Sequence, residues 1–170
     1  FAVTNDSELA TKIRAIRTHG VENVKNPKKW TMPGFNFRFN DVLASIGIEQ
    51  LKKLPTRVNH LRDLYNTYEE GLKNPFFKII PVDIDAGEVP VYSEFLVENR
   101  EQWITQLSVS GIELRPFYPN INTASYLKQT KEVFLNSEPY GKNGTYLPNG
   151  PDQPLENIEK VIDSIQKISI

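Results

Sequence analysis

Three short segments set polar or charged side chains among aromatics, which is how many ligand sites are built. In Gly34-Phe35-Asn36-Phe37-Arg38-Phe39-Asn40, strand-like alternation puts Asn36 and Arg38 on one side and the three phenylalanines on the other. An amide beside a guanidinium offers donors suited to a phosphate or a carboxylate. The competing reading is a structural loop, with the phenylalanines in a core and Asn40 serving only as a helix cap. Residues Gly111 to Pro119 (GIELRPFYP) read as a strand ending in Arg115, Phe117 and Tyr118, and strand ends deliver side chains into clefts. Against that stands a surface ion pair between Arg115 and Glu113 or another acid. Residues Gly144 to Pro151 (GTYLPNGP) read as a rigid loop docking onto the last helix, a structural role.

Other chemistry is sparse. The sequence has no G-x-S-x-G, no G-x-x-x-x-G-K-[ST] and no G-x-G-x-x-G. His19 and His60 lie far apart and neither has a partner at helical metal spacing, so both read as surface or capping residues, and no metal site is expected. Lys25, Lys28 and Lys29 beside Trp30 form a small basic loop, too little for nucleic-acid binding in a chain of balanced charge. Asn5-Asp6-Ser7 and Asn143-Gly144-Thr145 match the glycosylation sequon, most simply by chance.

The elements that must position these segments follow from spacing. Phe1 to Thr4 suit a short strand end. Asn5, Asp6 and Ser7 offer caps to a helix carrying Leu9, Ile13 and Ile16, with Gly20 as its stop. Asn40 or Asp41 caps a second helix with the face Leu43, Ile46, Leu51 and Leu54, which Pro55 ends or kinks. Val58, Leu61, Tyr65, Tyr68 and Leu72 make a third helical stripe, closed by Gly71 and Asn74-Pro75. Strands are expected over 76–84, 89–97 and 112–118. Asn99 and Gln102 form a capping-box pattern before a helix carrying Trp103, Ile104 and Leu107. A short helix is expected over 124–128 and a loop over 140–151. Asp152 caps a last helix with Leu155, Ile158, Ile162 and Ile165. The fold class is α/β, with an α+β layer of sheet and helices in the C-terminal part. Residues 1–55 and 56–170 are the expected domains.

The chain has 170 residues, 20 Lys+Arg against 21 Asp+Glu, a net charge of −1 and no Cys. A disulfide scaffold and a thiolate nucleophile are excluded. A compact chain of 19.5 kDa exposes roughly 8,500 Å², so a substantial core is expected. The apolar content is too high for disorder and no apolar run is long enough for a membrane helix. Neither nucleic acid nor a membrane is an expected partner.

Taken in order, several of these segments resemble the DegT/DnrJ/EryC1/StrS family of nucleotide-sugar aminotransferases. The resemblance rests on FAVTND, on Ala15-Ile16-Arg17-Thr18-His19-Gly20, on the G-x-N-x-R loop Gly34 to Arg38 and on the helix Ala44 to Leu54. Arg62 and Tyr65 fit the helix that follows. Gly111-Ile112-Glu113, Arg115-Pro116-Phe117-Tyr118 and Tyr146-Leu147-Pro148 complete it. It implies the C-terminal portion of a fold-type I enzyme dependent on pyridoxal 5′-phosphate. That enzyme moves an amino group, from an amino acid such as glutamate, to a keto-sugar on a nucleoside diphosphate, in amino-sugar or surface-polysaccharide biosynthesis. It further implies a cytoplasmic homodimer whose active site forms at the subunit interface. The Schiff-base lysine of the family falls upstream of residue 1, so no catalytic residue is assigned and this stretch alone is expected to be inactive. Asn36 matches an asparagine that reaches the cofactor phosphate of the neighbouring subunit, and Arg38 an arginine near the same cleft. Arg115, Phe117 and Tyr118 fall on the nucleotide-sugar side. Where many relatives have a histidine, this chain has Asn120, Ile121 and Asn122. Some relatives dehydrate rather than aminate. A non-catalytic module that binds a nucleotide-sugar or a partner through a dimerisation surface is the alternative.

Overall fold

A computed structural model describes residues 2–23, 30–127 and 132–168. The chain divides into two compact units, residues 1–52 and 53–170.

In the first unit, helix α1 (Ser7–Arg17) starts where the Asp6 carboxylate accepts the N–H groups of Glu8 and Leu9 at 2.9 and 3.0 Å. Residues 2–4 form no strand, because no neighbouring segment pairs with them among the described residues; Phe1 lies outside those residues. After α1 the chain turns through Thr18, His19 and Gly20, and residues 35–37 return alongside it. Phe35 and Phe37 donate N–H to the carbonyls of Ile16 and Arg17, at 2.7 and 2.9 Å, and His19 donates to Phe35 at 2.8 Å. Two glycines permit this approach. A Cβ on Gly20, where φ is +74°, would lie 1.8 Å from the Met32 carbonyl oxygen, and one on Gly34 would lie 2.0 Å from the Gly20 nitrogen.

Helix α2 (Asp41–Gly71) opens with the Asn40 side-chain oxygen accepting from the Leu43 N–H at 2.9 Å. It runs unbroken through Pro55. The two expected helices are therefore one. Proline removes a single ladder donor, to the Leu51 carbonyl, and thirty other residues sustain the helix. The expected apolar face Leu43, Ile46, Leu51 and Leu54 stays about half exposed or more.

The second unit is an antiparallel sheet with helices on one face. Its strands are β1 (Phe77–Ile79), β2 (Ser93–Val97), β3 (Arg115–Pro116) and β4 (Gly144–Leu147), in the order β1-β2-β4-β3. Alternation in β2 turns Ser93, Phe95 and Val97 inward and leaves Glu94 and Leu96 half-buried on the other face. Against the inner face pack α3 (Arg100–Val109), α5 (Leu155–Lys167) and the later turns of α2. Leu61, Leu64, Tyr68, Phe77, Phe95, Trp103, Leu107, Leu147, Ile158 and Ile165 are all buried there. Each of these large side chains contributes roughly 1.5–3 kcal/mol by leaving water. Trp103 meets Phe77 edge-on at 4.8 Å between ring centres.

Several elements differ from the sequence expectation. The strands expected over 76–84 and 89–97 are shorter: Pro81 cannot donate to a ladder, and Asp83 to Glu88 fold into a hydrogen-bonded turn. The strand over 112–118 shrinks to Arg115–Pro116. The expected capping box is not formed, since Asn99 adopts a left-handed conformation (φ 56°) with no side-chain capping bond. A 3-10 turn (Ile121–Thr123) replaces the helix over 124–128, whose last residue lies outside the described ones. The expected loop 140–151 instead begins as α4 (Glu138–Asn143) and continues as β4, a central strand. Pro154 rather than Asp152 precedes α5, with no side-chain capping bond.

Candidate functional site

Two clusters, one in each unit, contain the sequence-predicted residues other than Tyr118. In the first unit, Asn36 pairs with Thr18 by an isolated antiparallel bridge, so the loop is anchored to the end of α1. Arg38 Nε donates to Asn36 Oδ1 at 3.0 Å. That bond uses one lone pair of the amide oxygen and leaves the Asn36 amide donors and the Arg38 terminal donors available, for both residues are exposed. The result is a donor-rich surface suited to an oxyanion, such as a phosphate. The three phenylalanines are not core. Phe35 and Phe37 stack on each other at 4.9 Å, and Phe35, Phe37 and Phe39 are 58%, 67% and 71% exposed. Alternation placed the polar pair together, but the returning backbone, rather than an apolar core, holds the loop.

In the second unit, β3 and β4 build the other cluster on the sheet face away from the helices. Register places Glu94, Tyr146 and Arg115 in one row across β2, β4 and β3. The Arg115 guanidinium carbon lies over the Tyr146 ring at 4.5 Å and over the Tyr92 ring at 5.8 Å. Tyr92 and Phe117 flank Tyr146 at 5.0 and 4.4 Å between ring centres. The Phe117 ring fills the space above Gly144, where a Cβ would come within 2.3 Å of it, and the Phe117 N–H donates to the Gly144 carbonyl at 2.9 Å. That same carbonyl accepts from Arg100 Nη1 at 3.0 Å, and Arg100 also reaches the Gly141 carbonyl at 3.1 Å. Burial raises the Glu94 pKa above the ordinary carboxylate value.

Arg115 and Phe117 are thus brought together, and Tyr118, 81% exposed, stands outside the cluster. The competing ion pair of Arg115 with Glu113 or another acid is not formed among the described residues. Sequence reasoning missed Tyr92, Tyr146 and Arg100. Only tertiary packing reveals the two tyrosines, and residues 144–147 had read as loop. His60 Nε2 lies 2.7 Å from the Gln153 carbonyl, just ahead of α5, so its role is structural. No cluster of metal-ligating side chains exists among the described residues, and Lys25, Lys28 and Lys29 lie outside them.

The sequence model of the DegT/DnrJ/EryC1/StrS aminotransferase family matches residues 1–166. The chain belongs to this family. A curated family relative, the UDP-4-amino-4,6-dideoxy-N-acetyl-beta-L-altrosamine transaminase of Campylobacter jejuni, is 28% identical over 178 residues, which are 98% of this chain and 46% of that protein. The GDP-4-keto-6-deoxy-D-mannose 3-dehydratase of Escherichia coli O55:H7 is also 28% identical, over 92% of this chain and 47% of its own length. Among solved structures, S. venezuelae DesV superposes with a TM-score of 0.81 at 21% identity, over 98% of this chain and 47% of its own. That likeness establishes the shared mixed helix-and-sheet fold. The chain spans about half the length of the curated relatives it matches.

Proposed function

We propose that this chain forms part of a pyridoxal 5′-phosphate-dependent enzyme that transfers an amino group, from glutamate or a similar amino acid, to a keto-sugar carried on a nucleoside diphosphate. The observation that carries this reading is the family match over residues 1–166, joined to the donor-rich pair Asn36 and Arg38. When bound, the cofactor supplies the electron sink for moving the amino group. Asn36 and Arg38 would hold its phosphate, within a homodimer whose partner subunit contributes to each site. Arg115, Phe117 and Tyr118 would line the nucleotide-sugar side. By the family resemblance no lysine of residues 1–170 stands at the Schiff-base position, so this chain's part is to bind and orient. Its place of work is the cytoplasm, in amino-sugar or surface-polysaccharide biosynthesis.

The test is incubation of the whole protein carrying these residues with the cofactor, glutamate and a panel of nucleoside-diphosphate keto-sugars. An amino-sugar product is expected. The dehydratase among the relatives supports a second reading, loss of a hydroxyl without gain of nitrogen, and the product mass separates the two. Formation of neither product overturns both. In the same protein Asn36→Ala is expected to weaken cofactor retention by about 1–3 kcal/mol, the cost of losing one donor to a charged oxygen. An unchanged cofactor affinity would remove Asn36 from the site.

A further inference from the structure

We propose that Arg100 is a positioning residue for the substrate side of the second unit. It clamps the carbonyls of Gly141 and Gly144, and these two glycines form the bed on which Phe117 and Asn120 lie. The inference rests on the reading of Phe117 as a substrate-side residue and adds to it the group that holds that residue in place.

Arg100 stands where local rules disfavour it. It opens α3, and a cation at a helix N-terminus opposes the macrodipole. The residue before it, Asn99, is left-handed (φ 56°) and makes no side-chain capping bond. Neither feature helps α3, so the reason for the arginine lies outside its helix. Its side chain is only 14% exposed. Glu101 holds one edge of the guanidinium, with Oε1 accepting from Nε at 3.1 Å and lying 3.0 Å from Nη2. From the other edge Nη1 donates to the Gly141 carbonyl at 3.1 Å and to the Gly144 carbonyl at 3.0 Å. Gly141 lies in the last turn of α4, where carbonyls lack a partner within the helix and a cation is favoured. Gly144 opens β4. Arg100 therefore fixes the junction of α4 with β4.

The same two glycines carry the substrate-side segment. A Cβ on Gly144 would lie 2.3 Å from the Phe117 ring, and one on Gly141 would lie 2.6 Å from Asn120 Oδ1. Each of these side chains occupies the place of a missing Cβ. The Gly144 carbonyl also accepts the Phe117 N–H at 2.9 Å, so its two lone pairs join Arg100 to the Phe117 backbone. A shift of that carbonyl moves Phe117 directly, and Phe117 packs on Tyr146 at 4.4 Å between ring centres. A misplacement of about 1 Å is enough to weaken a preorganised site.

The experiment measures steady-state kinetics of the whole protein carrying these residues, with glutamate and the keto-sugar it converts, whichever product forms. Arg100→Met is expected to raise the keto-sugar KM about tenfold, the factor equivalent to one charged hydrogen bond. The kcat and the KM for glutamate should stay within about twofold. Arg100→Lys keeps the charge without the two-edged fork and should fall between. Trp103→Phe, a change in the apolar core, is the comparison: it should lower the melting temperature and leave the keto-sugar KM alone. A role in stability alone would make Arg100→Met behave in the same way, and that result overturns the proposal. If Arg100→Met does not fold, Gly141→Ala keeps Arg100 and displaces Asn120. A keto-sugar KM unmoved in both Gly141→Ala and Arg100→Lys overturns the proposal equally. Calorimetric titration with uridine, guanosine and thymidine diphosphates separates this inference from the reading beneath it. Weaker nucleotide binding in Arg100→Lys supports the positioning role even where no product forms. Equal binding by the variant and the unsubstituted protein sinks that role alone. A protein that converts no keto-sugar and binds none of the three nucleotides sinks the substrate-side reading, and the positioning role with it.

Discussion

Within residues 53–170, Trp103, Leu64 and Ile158 are shut off from solvent, whereas Trp30, Phe37 and Phe39 of residues 1–52 stay mostly exposed. The second unit is held by an apolar core between sheet and helices. The first is held by backbone hydrogen bonds between α1 and residues 35–37, and by two glycines that let backbones touch. The difference bears on the two candidate clusters. Arg115 rests on aromatic rings whose strand is anchored by buried Thr145 and Leu147. Asn36 and Arg38 rest on a surface loop, and a loop that exposes this much aromatic area gains little from burial.

Substitutions can break or sharpen that contrast. Trp103→Ala should cost the most, about 3–5 kcal/mol of stability, because it empties the centre of the sheet–helix core. Urea unfolding followed by circular dichroism measures it, and a loss below about 1 kcal/mol would deny the core its role. Gly34→Ala should cost about 2–3 kcal/mol, the upper range for one substitution, since its Cβ has no room beside Gly20. Its effect should be confined to the first unit. Hydrogen exchange should show the amides of His19, Phe35 and Phe37 losing protection while those of β2 and α5 keep theirs. Loss of protection in both would mean that the two units unfold as one. Arg100→Met should cost about 2 kcal/mol, because two carbonyls lose a charged donor, and the Phe117 amide should exchange faster if Arg100 fixes Gly144.

The smallest effect is expected at Glu94. Burial disfavours its carboxylate, so the folded chain holds the proton more tightly than the unfolded chain does. The folded state then gains from the bound proton below the unfolded value, near 4.5, and loses that gain as pH rises through the raised folded value. Glu94→Gln should therefore stabilise the chain at neutral pH by about 0.5 kcal/mol, the scale of a partly exposed substitution. The difference from the unsubstituted chain should shrink below pH 4.5. Equal midpoints at both pH values would show that the carboxyl is not desolvated.

What the sequence made legible was local. The three-four spacing of Leu61, Tyr65, Tyr68 and Leu72 identified a buried helix face because periodicity is written in adjacent turns. Asp6 and Asn40 announced their helices through short-range side-chain oxygens. Alternation paired Asn36 with Arg38. The errors also have physical causes. Gly144 reads as a loop residue, yet it lies in a central strand because the Phe117 ring occupies the place of a Cβ. Pro55 reads as a break, yet one lost donor did not divide a 31-residue helix. Asn99 and Gln102 have the residue types of a capping box without its backbone conformation.

By itself the sequence determined the family, through ordered motifs over nearly the whole chain, and the amphipathic helices, through their spacing. Tertiary structure alone decided that Tyr92, Arg115, Phe117 and Tyr146 form one cluster. The strands that carry or adjoin them pair across about thirty to fifty residues of intervening chain, and strand register follows from the best burial of the whole sheet rather than from any one segment.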